Sequence, residues 1–111
     1  MITKYKTFEN SSIPQIGDWV VYQENIIGKL LWVGIYWSNS PENYAVILEE
    51  EIVNQVPEWV QKSISESEIP RIEVHSKYVK TWDSIKFETI IFHSKSIETV
   101  RVFVESQKYN L

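Results

Sequence analysis

The 111-residue chain is 43% hydrophobic and 14% aromatic, with no cysteine and a formal net charge of -4. A single domain over residues 1–111 is expected, burying about two-thirds of its unfolded surface without help from metal or disulfide. The missing cysteines exclude disulfide frameworks, thiol nucleophiles and thiolate metal sites, and they suit a reducing cytosol.

The charge is unevenly placed. Residues 1–41 sum to zero, residues 42–73 set eight glutamates against Lys62 and Arg71 for a net of -6, and residues 74–111 return to +2. An acidic middle third argues against nucleic acid as the ligand, because binding phosphates demands a basic surface. No apolar run follows Lys4 and Lys6, so no signal peptide is expected and a cytoplasmic location is predicted.

In chain order, residues 1–16 read as a strand or arm ending in a loop where Pro14 can donate nothing to a ladder. The stretch Gly17–Trp37 should organise the core, since it holds all three glycines, three of the five tryptophans and a single basic residue. Trp19–Tyr22 suits a short strand closed by the Glu24-Asn25 turn. Leu30–Trp37 suits a strand covered on both faces, with Leu30, Trp32 and Tyr36 on one side and Leu31, Val33, Ile35 and Trp37 on the other. Gly34 within it marks a bulge, a bend or a close backbone approach. The apolar run from Ile26 to Trp37 is far shorter than the roughly 20 residues a membrane helix needs, so no span is expected.

Ser38–Asn43 is the clearest turn, and it leads to a strand over Tyr44–Leu48. Glu49-Glu50-Glu51 either ends that strand or starts a helix. Pro57 favours a short helix over Pro57–Ile64, since proline fits the first turn and Glu58 suits the positive end. Alternation predicts strands over Arg71–Lys80, Ile85–Phe92 and Ile97–Glu105, the last with Val100, Val102 and Val104 on one face. His93–Ser96 would be the turn before it.

These elements predict a mainly β fold bordering on α+β, with six to seven strands and one short helix. It would form either a small antiparallel sheet or an SH3-like, partly closed barrel. The opening, Gly17-Asp18 before an apolar strand, a turn and a long bent strand, resembles the start of SH3-like barrels over roughly 35 residues.

No arrangement of residues that chemistry requires at fixed spacing is present. His75 and His93 stand 18 residues apart without metal-ligand spacing and read as exposed polar positions. Asp18 could face Asp83 or Glu88 as a carboxylate pair, though any acidic chain offers such pairs. No nucleophile elbow, phosphate loop or dinucleotide fingerprint occurs. No catalytic residue, metal site or cofactor is therefore predicted.

The partner-binding candidates are Glu49, Glu50, Glu51, Glu58, Trp59, Glu66 and Glu68, a cluster able to steer a cationic protein and anchor a tryptophan in it. Trp37, Tyr44 and Trp82 are further candidate aromatic contacts, at strand or loop edges. The function expected from this pattern is non-enzymatic. Size and charge resemble those of immunity proteins or antitoxins, small acidic proteins that neutralise a basic toxin such as a nuclease by covering its active site. The alternative is an SH3-like peptide- or protein-interaction module or accessory subunit. A small hydrolase using His75 with Lys77, Tyr78 and Lys80 is the third expectation.

Overall fold

The structure is a computed structural model and describes residues 13–35, 43–68 and 83–109. Strand β1 (Trp19–Tyr22) turns at Gln23-Glu24-Asn25 into β2 (Ile26–Gly34), pairing Trp19 with Lys29 and Tyr22 with Ile26. Gln23 and Asn25 hold the turn in left-handed backbone, with φ of 51° and 65°. Asparagine tolerates that region well, and glutamine does so less readily. Strand β3 (Tyr44–Glu49) runs back along β2 and pairs in turn with β4 (Asp83–Lys86). A single 3-10 turn, Phe87–Thr89, leads to β5 (Ile90–Ser94), which pairs with β1.

The result is a five-stranded antiparallel sheet in the order β4-β3-β2-β1-β5. Its two edges are joined by only three residues. Lys86 to Ile90 can span at most about 14 Å, whereas four flat inter-strand spacings need about 19 Å, so the sheet must coil. Coiling gives it an inner face where side chains of every strand meet: Val20, Tyr22, Leu30, Ala45 and Ile47 are buried there, with Ile85 and Ile90 packed against them.

The sheet is nonetheless not closed, since β4 and β5 remain its edges, and this corrects the expected SH3-like barrel. Five strands lie among the described residues. The stretch Ile85–Phe92 is not one strand but parts of two on opposite edges, divided by the 3-10 turn. The predicted strand over Arg71–Lys80 and the N-terminal strand or arm fall outside the described residues.

Among the described residues three helices stand where one was expected: α1 (Glu50–Val53), α2 (Glu58–Ser65) and α3 (Ile97–Tyr109). The glutamate triplet does both of the things it could, since Glu49 ends β3 and Glu50 begins α1. Helix α2 follows Pro57 as anticipated. The residues expected to form the last strand form α3 instead. Alternation at Val100, Val102 and Val104 shares its first and last members with helical i,i+4 spacing. In the helix Val100 and Val104 are buried while Val102 is 68% exposed. Ser96 caps the helix by accepting from the Thr99 N–H, so the expected hairpin turn at His93–Ser96 is the end of β5 and a helix start.

The helices cover the outer face of the sheet. Helices α1 and α2 and the link between them place Val53, Val56, Val60 and Ile64 on Leu31, Trp32, Val46 and Leu48. Helix α3 covers Val21 with Val100 and Val104, and Phe103 stacks on Phe92 at 4.3 Å. The register shift in β2 falls between Leu30 and Trp32, which makes Leu31 the extra residue of a bulge. Leu31 and Trp32 therefore share the outer face while Leu30 and Val33 share the inner one, overturning simple alternation. Gly34 marks neither that bulge nor a close backbone: a Cβ there would lie 2.5 Å from the Trp32 ring, so glycine makes room for a side chain.

Candidate functional site

The predicted acidic site is divided between two surface grooves. Glu49, Glu50 and Glu51 line the first, about 510 Å³, together with Asn25, Ile26 and Asn54. Their neighbourhood follows from the register, which sets Glu49 against Gly28 at the hairpin end of β2. Glu58 and Glu66, at the two ends of α2, line the second groove of about 360 Å³ with Ile16, Gly17, Lys29 and Lys62. Glu68 lines neither of these and is exposed. Trp59 is 61% exposed on the first turn of α2, beside Glu58. Tyr44 is half-buried at the start of β3, and Trp37, Trp82 and His75 lie outside the described residues.

Ion pairing is selective within this cluster. Glu50 accepts from Arg101 of α3, which also reaches Glu98 at 3.3 Å. The hydrogen bond to Glu50 holds the Arg101 guanidinium above its ordinary pKa. Among the described residues Glu49, Glu51, Glu58, Glu66 and Glu68 have no ion-pair partner. Lys29 donates to the Gln61 side-chain oxygen at 3.2 Å rather than to an acid.

A second polar cluster went unseen in the sequence. The Asp18 side chain is only 4% exposed, and both of its oxygens are engaged. Oδ1 accepts from Lys95 Nζ at 2.8 Å, while Oδ2 accepts from the Gln15 N–H at 2.9 Å and faces His93 Nδ1 at 3.3 Å. Burial pushes the Asp18 carboxyl up, but Lys95, the Gln15 N–H, and His93 together outweigh it and hold it below the usual carboxylate range. His93 is thus not the exposed position expected of it, its side chain being 13% exposed. The anticipated partner Glu88 sits exposed in the 3-10 turn instead. Pairing of Val20 with His93 brings the imidazole to Asp18 across 75 residues of sequence, a register that no local signal announces.

What the two clusters can do differs. Asp18 is closed to solvent and lies in neither groove, so its bonds organise the fold. The grooved acids are open to a solute. Among the described residues no group of three or more histidine or acidic side chains is placed to hold a metal ion, and no helix is long and apolar enough to cross a membrane. Comparisons with family models, curated proteins and solved structures find no match. Function must therefore be argued from the site alone.

Proposed function

We propose that this chain is a non-enzymatic binding protein whose acidic helices α1 and α2 receive a basic protein, as an immunity protein or antitoxin receives the toxin it neutralises. The observation that carries this reading is the set of five glutamates, Glu49, Glu51, Glu58, Glu66 and Glu68, without ion-pair partners among the described residues. Unpaired acids on consecutive elements sum into a field that attracts a cationic surface and raises its on-rate. The exposed Trp59 in their midst supplies the kind of large aromatic that fills a partner's pocket.

The test is the association rate with a basic nuclease-toxin domain encoded beside this chain in its native genome. Replacing Glu49, Glu51 and Glu58 by lysine together should slow association by about tenfold or more at low salt, with the variant's circular dichroism unchanged. An unaltered rate in the folded variant removes the reading.

A second reading, a peptide- or protein-interaction module, is favoured by a different observation: among the described residues β4 and β5 are the edges of the sheet, and Ile91 on β5 is exposed. A partner adding itself as a further strand would bind through main-chain hydrogen bonds. Such binding would survive salt that abolishes the steered association.

A further inference from the structure

One of the buried polar groups among the described residues joins separate parts of the chain. Asp18 immediately precedes β1, and its three ligands come from the preceding turn (Gln15), from β5 (His93) and from the junction between β5 and α3 (Lys95). Lys95 stands two residues before the helix begins. The junction is further shaped by Ser94, whose hydroxyl accepts from the Ser96 N–H at 3.1 Å. Beyond the junction, α3 is lightly held, since only Val100 and Val104 of its thirteen residues are buried. Its other charged tie to the body, Arg101 to Glu50, is at the surface.

We propose that the Asp18 cluster is an acid-released clasp that fixes the N-terminal end of α3 to the sheet, so that neutralising the carboxylate frees the helix while β1, β2 and β3 stay folded. Among the described residues the charged or titratable side chains facing Asp18 are His93 and Lys95. Lys29, on the neighbouring strand, is turned to Gln61 on the outer face. With the carboxylate ionised, those two groups converge on a buried anion. With it protonated, the buried anion on which Lys95 and His93 converge is gone, and with it the attraction that holds Lys95 to the sheet. Lys95 is 75% exposed and has solvent to move into, and the helix start moves with it. Release uncovers Val21 and Phe92 and draws Arg101 off Glu50.

Residue-resolved amide hydrogen exchange on the whole chain tests the clasp. In Asp18→Asn at neutral pH, amides of residues 101–108 should exchange about a hundredfold faster than in the wild type, while those of Leu30 and Val46 change by less than about threefold. Lys95→Met keeps the carboxylate and its other two ligands, and should raise exchange in the same helix by about tenfold. In the wild type, acid should strip protection from α3 at a higher pH than from β2 and β3. Equal acceleration of α3 and the central strands in either variant overturns the proposal, as does an α3 left protected in Asp18→Asn. If that variant does not fold, Lys95→Met decides: an α3 no less protected than in the wild type overturns the clasp.

Discussion

Helix α2 is eight residues long and buries Val60, Gln61 and Ile64, whereas α3 is thirteen residues long and buries only Val100 and Val104. The two also differ in the polar groups that fasten them. Gln61 donates to the carbonyls of Val53 and Val56 at 3.1 and 3.0 Å, and the Trp32 indole N–H donates to the carbonyl of Ser67 at 2.8 Å, so the shorter helix is locked by neutral bonds. The longer helix is fastened through Lys95 to Asp18 and Arg101 to Glu50, both of them ion pairs. Neutral locks in a closed site respond little to pH or salt, and charged ones respond to both. Two helices on one face of one sheet should therefore detach under different conditions.

The largest effect should come from the apolar side of this contrast. Ile64→Ala removes a fully buried side chain beneath α2 and should lower stability by about 3 kcal/mol in urea denaturation. Val104→Ala removes less from a site with more room to relax and should cost about half as much. If Val104→Ala proves as costly as Ile64→Ala, α3 is not the weakly held helix.

Next in size is Asp18→Asn, expected to lower the free energy that protects the α3 amides by about 2–3 kcal/mol near neutral pH, with the central strands little changed, because it strands a buried site built for an anion. Since the folded carboxyl titrates below its ordinary value of 3.8, the charge contributes stability above that value and the contribution disappears as pH falls through the lower, folded one. The gap between wild type and variant should hold steady down to about pH 5 and close below about pH 4. A gap that widened in acid would reverse the assignment of Asp18 as a stabilising anion.

The parts of this arrangement legible in the sequence were the local ones. The hairpin of β1 and β2, the strand after Asn43 and the helix after Pro57 each carry their own turn or cap. Helix α3 was misread because Val100 and Val104 satisfy a period of two as well as they satisfy helical spacing. Only the exposure of Val102 separates the two, and exposure is a tertiary property. The separation of β4 from β5 was hidden because neither strand contains any sign of which neighbour it takes. The meeting of Asp18 with His93 was hidden for the same reason, as it depends on a strand register set by the whole sheet. The glutamates could be counted in the sequence, but their division between two grooves, and the engagement of Glu50 by Arg101, could not.

A smaller and differently behaved loss is expected at the neutral lock. Gln61→Leu keeps the volume but leaves the Val53 and Val56 carbonyls without their donor, for about 1–2 kcal/mol. The loss should be the same at about pH 7 and pH 5 and at low and high salt, in contrast with Asp18→Asn. A salt-dependent loss would mean that the charged Lys29, which donates to the same amide, carries the lock.

The smallest effect belongs to the surface tie of α3. Glu50→Gln removes the acceptor of Arg101 where both side chains still meet water, at 32% and 48% exposure. Coulomb attraction between such groups is weak and is screened over a Debye length of about 8 Å at physiological salt. Urea midpoints of wild type and variant should differ slightly at low salt and coincide at high salt. A loss that persists at high salt would show that Arg101 fastens α3 by packing its aliphatic stem rather than by charge. The helix would then keep a grip on the sheet that survives loss of its ionic ties.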